Sequence, residues 1–293
     1  VFVRGGLHSV VLDSPEHAAW ANVKQPGNST HFGCQRCLVH KDELSDPNYD
    51  FRANRRTAQE VDASIEYAKQ GATKAERRER ELQRGVVIPK KANPLKNITF
   101  DRQLQLPFDI LHQDALASTN KSKRQIRFLL DLLDPAGQEV VAARLALRQL
   151  LPPYVSPLGD VTTDNVWTGL TGNQIWILSS VLGPLFAPIF ADGASMDKYT
   201  RPAEMSAVRE RLRSEGSPHG RREVAQALRD LIEALGASTF MVRVGSYTEE
   251  TLANLEERQK ASIKQAQRVA GLALGTIHKG LHIADDIRNL GKH

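Results

Sequence analysis

Residues 31–44 read HFGCQRCLVHKDEL and hold the only two cysteines of the 293-residue chain, Cys34 and Cys37. Their C-x2-C spacing supplies half of a tetrahedral metal site, and neither His31 nor His40 beside them completes a local finger. The best candidates for the other half stand near the far end, where residues 277–291 read IHKGLHIADDIRNLG. His278 and His282 lie four apart in a helical pattern, a spacing that sets two side chains on one face. Two thiolates and two imidazoles make a closed zinc set of the structural kind. One ion shared by all four would clip the beginning of the domain to its end. On sequence alone His31, His40 and His112 are rival ligands.

The bulk numbers set the class. A hydrophobic fraction of 41% and a charged fraction of 25% place the chain among ordinary globular proteins. Its net charge of +5 is a mild bias toward polyanionic partners. Two cysteines without a signal peptide point to a reducing compartment and exclude a disulfide scaffold. One run imitates a membrane span, Ile175 to Ala191 (IWILSSVLGPLFAPIFA), but it is short and interrupted by Gly183, Pro184 and Pro188. It is expected to be a buried core helix that breaks at Gly183-Pro184. The chain opens without an initiator Met on Val1-Phe2-Val3 and stops at Lys292-His293, as a segment of a longer protein would.

The pattern of apolar positions predicts a mainly α chain with a strand-rich N-terminal edge. Residues 1–12 have the alternation of a strand, and Asp13 stands at its end. Ser14-Pro15 then opens a helix, with Ser14 as N-cap and Pro15 at the first helical position. Residues 57–84 read as one long, highly charged helix. Further helical patterns recur at 108–116, 123–134, 136–150, 171–191, 201–214, 219–235 and 248–288, with prolines supplying most of the breaks. One more short β candidate spans 239–244.

Three other groups of residues carry chemistry. Asp13 is a lone carboxylate at a strand end, where two-metal nucleases place such groups so that a rigid sheet edge fixes the ions. Asp109 and His112, in LPFDILHQDAL, read either as a helix-capping pair or as support for an acidic centre. Among the basic clusters, Lys74 with Arg77, Arg78 and Arg80 alternates with glutamates and reads as a solvated face. Lys121, Lys123, Arg124 and Arg127 show no acidic partners and are the better nucleic-acid contacts.

Taken in order, these motifs resemble the DDE transposases of the CACTA (En/Spm-like) and Plavaka/KDZ groups. VLDSPE around Asp13 is similar to the strand carrying the second catalytic aspartate, and HFGCQRCLVHKDEL to the cysteine motif after it. Arg55-Arg56-Thr57 is similar to an arginine-rich stretch that follows. FDILHQDAL resembles the D-x2-H motif that starts a helical insertion, and WTGLTGNQIWILSSVL (167–182) a helix opening on Leu-Thr-Gly. IHKGLHIADDIRNLG resembles the histidine pair just before the last catalytic glutamate. Transib transposases and the antigen-receptor recombinase offer a parallel, in which a cysteine pair and a histidine pair share one zinc.

The resemblance implies a partial RNase H-like α/β edge with a large all-helical insertion. Residues 1–56 would belong to the catalytic core, 57–270 to the insertion, and 271–293 to the helix returning to the core. It makes Asp13 a catalytic metal ligand, with Asp109 and His112 beside that centre. Cys34, Cys37, His278 and His282 become a structural zinc site. Mg2+ or Mn2+ would serve catalysis in the full-length parent, DNA would be the partner, a homodimer the assembly to look for, and the nucleus the location, with no membrane involved. The first aspartate would precede Val1 and the last glutamate follow His293, so the segment alone would be inactive. Relatives often carry an acid where this chain has Asn173-Gln174. The alternatives are a non-catalytic zinc-stabilised DNA- or protein-binding module derived from a transposase, and a helical scaffold with incidental Cys and His.

Overall fold

Helices supply nearly all the regular structure, and the pairing among the described residues is limited to isolated β-bridges. The computed structural model describes residues 14–24, 30–32, 34–44, 46–90, 101, 103, 105–106, 121–147, 158–214, 216, 220–242, 246–272 and 278–291. The chain is mainly α, as its apolar periodicity predicts. The expected opening strand with Asp13, and the helix at 108–116 with Asp109 and His112, lie outside the described residues.

Contacts divide the chain into two compact units, Val1–His112 with Ile277–His293, and Gln113–Thr276. The first unit contains α1 (Ser14–Ala21), a 3-10 turn (Lys41–Glu43), α2 (Ala58–Lys69), α3 (Lys74–Arg84) and, from the end of the chain, a 3-10 turn (Gly280–His282) running into a helix (Ile283–Gly291). Among the described residues its apolar cluster comprises Ala18, Ala21, Val23, Val61, Ile65, Val86 and Leu106, with Trp20 packed against it. An antiparallel bridge between Val23 and Val86 ties the exit of α1 to the exit of α3. It is flanked by bonds from Lys24 N to Gly85 O (3.0 Å) and from Val87 N to Asn22 O (3.0 Å).

The single long helix expected over 57–84 is two helices. Thr57 and Thr73 each accept a bond from the backbone N–H three residues on, and Glu60 and Glu76 bond back to complete two capping boxes. Gly71 lets the chain turn between them, because a Cβ there would come within 2.8 Å of Arg77 N. Charge composition hid this break; the Thr-x-x-Glu spacing carries it.

The second unit contains α4 (Lys121–Asp131), α5 (Pro135–Ala146), α6 (Asp164–Gly169), α7 (Gly172–Phe186), α8 (Gly193–Tyr199), α9 (Pro202–Ser214), α10 (Arg221–Val242) and α11 (Glu249–Ala270). The helix at Ile283–Gly291 is α12. Helix α10 packs against α4, α7, α8, α9 and α11. Its buried Val224, Leu228, Leu231, Ile232 and Leu235 meet a core that includes Ile175, Leu178, Leu182, Leu185 and Phe186 of α7.

Three sequence expectations are corrected in this unit. Helix α7 continues through Gly183-Pro184 and ends at Phe186. Pro184 deprives the Ser180 carbonyl of its helical partner only two residues before the end, so the helix loses little. Residues 239–242, expected as a strand, are the last turn of α10, where Thr239 and Val242 are buried. Tertiary packing overrides their β propensity. The pattern over 248–288 is interrupted: α11 stops at Ala270, capped by Gly271 in the left-handed region (φ 62°). No helix among the described residues is long and apolar enough to cross a membrane.

Candidate metal centre

Two segments of the first unit, remote in sequence, deliver four buried ligands to one point. The first is the turn at Cys34–Cys37. The Arg36 N–H donates to Cys34 Sγ (3.3 Å), and the Val39 backbone bonds Cys37 in the same i+2 relation. The turn lies along residues 54–56. Cys37 bridges to Arg55, Leu38 N donates to Asn54 O (2.8 Å), and Arg56 N donates to Arg36 O (2.9 Å). Arg56 is itself buried over the Phe32 ring, and its Nε donates to Cys34 O (3.3 Å). The second segment is the start of the last helix, where His278 precedes the 3-10 turn and His282 closes it.

Cys37 Sγ lies 3.1 Å from His278 Nε2 and 3.7 Å from His282 Nε2, and Cys34 Sγ lies 3.4 Å from His282 Nε2. The four ligand atoms lie within 4.8 Å of one another, and all four residues are buried. Zinc bonds of about 2.3 Å to sulfur and about 2.0–2.1 Å to nitrogen give a tetrahedral S···N edge of about 3.6 Å. The observed separations bracket that edge, and both histidines present the same ring atom. The donor set therefore fits one tetrahedral zinc ion, closed to water. A dication with two thiolates is also electrically neutral, which suits a buried position.

The electrostatics agree with that chemistry. Burial opposes ionisation of Cys34, but the bond from Cys37 and the neighbouring His282 charge outweigh it and hold this thiol well below its ordinary value. Burial, with the Cys34 sulfur beside it, pushes the Cys37 thiol up. Burial also lowers the His282 imidazole, against the opposing pull of the Cys34 sulfur. Phe51 packs edge-on to His282 (centroids 4.5 Å apart) and Tyr49 to His278 (5.7 Å).

Arginine–aspartate pairs lock the two ligand segments together. Arg36, between the cysteines, pairs with Asp286 of α12, both side chains 1% exposed. Asp285 Oδ1 accepts from Arg52 Nε and Nη2 (3.0 and 2.8 Å) and from Arg288 Nη1 (3.1 Å), while Oδ2 accepts from Arg55 Nη2 (2.6 Å). Burial works against the Asp285 carboxylate, yet the arginines keep its pKa below the ordinary value. The sequence reading missed Asp285, Asp286 and their partners. The doublet in IADDIRNLG marks two acids where the helix is apolar, but nothing in the pattern names arginines some 230 to 250 positions away.

The other candidate residues fall elsewhere. The rival ligand His31 is exposed, and His40 caps the 3-10 turn through its Nδ1, which accepts from Asp42 N (3.4 Å). Neither belongs to the metal cluster found among the described residues. Asp13, Asp109 and His112 lie outside those residues, as does the side chain of Lys121. In the second unit Lys123 is buried over the Trp167 ring (5.5 Å). Arg124 is half-buried. Arg127, for which no acidic partner was expected, pairs with Asp131 (2.8 Å) and Asp164 (2.7 Å).

Gln174, at the position where an acid was the alternative, has a structural task. Its Oε1 accepts from Thr171 N (2.8 Å), and Thr171 Oγ1 accepts from Gln174 N (3.3 Å). Glutamate and glutamine serve equally in such a box. No family model, curated protein or solved structure matches the chain.

Proposed function

We propose that Cys34, Cys37, His278 and His282 hold a structural zinc ion, and that the chain is a segment of the catalytic domain of a DDE-type DNA transposase. The observation that carries this reading is the convergence of a cysteine pair and a histidine pair from opposite ends of the sequence on one buried point. That is the arrangement the resemblance implies. In the full-length parent, an RNase H-like core would hold Mg2+ or Mn2+ through Asp13 and acids flanking this segment, and those ions would supply phosphodiester cleavage and transfer. Asp109 and His112 would stand beside that centre. The expected setting is nuclear, on transposon-end and target DNA, with a homodimer as the assembly to look for.

The test is Mn2+-dependent nicking of duplex DNA by the chain together with its expected flanking segments. Cleavage abolished by Asp13→Asn supports the reading. Cleavage indifferent to that change, or none with every acid in place, contradicts it. The second reading is a zinc-stabilised binding module without catalysis, in which the same four-ligand set would serve the fold alone. It predicts DNA or protein binding that survives Asp13→Asn and no nicking at all.

A further inference from the structure

Helix α3 carries Lys74, Arg77, Arg78, Arg80 and Arg84, and none of them pairs with a carboxylate among the described residues. The glutamates that alternate with them are engaged elsewhere. Glu76 accepts from Ala72 N (2.8 Å) beside the capping box, and Glu79 from Gln83 Nε2 (3.4 Å). Glu81 pairs with Lys24 (3.1 Å) and accepts from Ile88 N (2.7 Å). Lys74, Arg77, Arg80 and Arg84 recur at intervals of three and four, which lines them along one side of the helix. Lys74, Arg77 and Arg84 are exposed, and Arg80 is half-buried.

Three of these guanidinium groups are held without being neutralised. Arg77 Nε donates to Gly71 O (2.8 Å) and Arg80 Nη1 to Tyr67 O (3.1 Å), at the end of α2. Arg80 and Arg84 lie over the Tyr67 ring, 4.7 and 5.0 Å from its centroid. A carbonyl or a ring face orients a guanidinium group but leaves its charge in place. Capping α2 accounts for Arg77 and Arg80, but not for Lys74 and Arg84. Like charges stand four apart at Lys74–Arg78 and at Arg80–Arg84, and Lys74 lies in the first turn, where the helix dipole disfavours a cation. An outside polyanion would offset both costs.

We infer that Lys74, Arg77, Arg80 and Arg84 form a phosphate-binding stripe for the backbone of duplex DNA. From Lys74 to Arg84 the helix rises about 15 Å, the length of about four base-pair steps. Planar guanidinium forks suit phosphate oxygens, and the carbonyls and ring behind them hold the forks ready before the DNA arrives. The stripe rests on the DNA-processing reading above and locates a backbone grip in the first unit. It reads no bases, so it acts alike on any sequence.

The experiment is fluorescence anisotropy of the zinc-loaded protein with a short labelled duplex of mixed sequence, across a salt series. Arg84→Gln lowers the steepness of the log affinity against log salt plot by about 1, and Lys74→Gln with Arg84→Gln by about 2. Neither side chain donates a hydrogen bond among the described residues, so both changes leave the end of α2 capped by Arg77 and Arg80. Arg84→Lys, which keeps the charge, holds the wild-type slope. Arg222→Gln, an equal loss of charge at an exposed position of α10, also leaves it unchanged. Zinc content and helical circular dichroism measured on each variant report the fold. If the double variant loses helix, the single Arg84→Gln decides. Wild-type slopes in the glutamine variants, with DNA still bound, overturn the phosphate stripe and leave the DNA reading standing. A wild-type protein with no salt-dependent DNA binding overturns both.

Discussion

The two units are held by different physics. The second buries apolar rows along α7 and α10, and Lys123 is its one buried charged side chain among the described residues. Among its described residues the first buries Arg36, Arg56, Lys279, Asp285, Asp286 and three histidines as well as an apolar cluster. There the candidate metal site and the ion pairs would join segments that are distant in the sequence. Such links fail abruptly, because removing one partner leaves a buried charge or an open ligand. Apolar burial fails by degrees.

The largest expected effect is on that contrast itself. Cys34→Ser or His282→Ala should abolish zinc binding and remove the melting transition of the first unit, since structural zinc sites contribute apparent energies of about 10–16 kcal/mol in small domains. The transition of the second unit should stay in place, and scanning calorimetry with elemental analysis checks both. Next comes Asp286→Ala, which removes the carboxylate paired with buried Arg36 and should cost about 3–5 kcal/mol in the first transition. Arg36→Met with Asp286→Leu should recover much of that loss; if it does not, the pair does more than neutralise. The matching test of the second unit is Leu231→Ala on α10, fully buried, which should cost about 2–5 kcal/mol and leave zinc content untouched.

Acid should separate the units further. Burial first, then the charge of Arg36, pushes the buried His17 down to about 3 from its ordinary 6.5. The unfolded chain takes up this proton before the folded one. The His17 contribution is therefore complete above the unfolded value and is lost as pH falls from 6.5 toward 3. From about pH 7 to about pH 5 the loss is about 2 kcal/mol. Chemical denaturation at both pH values, on wild type and His17→Asn, should show that share missing from the variant. The smallest effect concerns α7: Thr171→Ala should cost about 1 kcal/mol, whereas Gln174→Glu should change stability by only a few tenths of a kcal/mol.

What the sequence made legible follows the same divide. The four candidate ligands could be read because C-x2-C and H-x3-H are local spacings, each complete within a turn of chain. The helices of the second unit could be read because apolar periodicity is local too. The Arg36–Asp286 and Arg55–Asp285 pairs could not, because partners 250 and 230 residues apart share no spacing that marks them. Lys123 looked like a phosphate contact because charge in a sequence carries no record of burial, and its position over Trp167 is set by packing. Thr239 looked like a strand residue for a similar reason: its place opposite Ser122 (hydroxyls 3.4 Å apart) belongs to the helix packing, not to its own propensity.

The most direct test of the account is hydrogen exchange on the zinc-loaded protein before and after chelation. If the ion holds the two ends of the chain together, protection should collapse over residues 34–56 and 278–291 while the amides of α7 and α10 stay protected. Unchanged protection over 34–56 and 278–291, or a loss spread evenly through α7 and α10 as well, would contradict it.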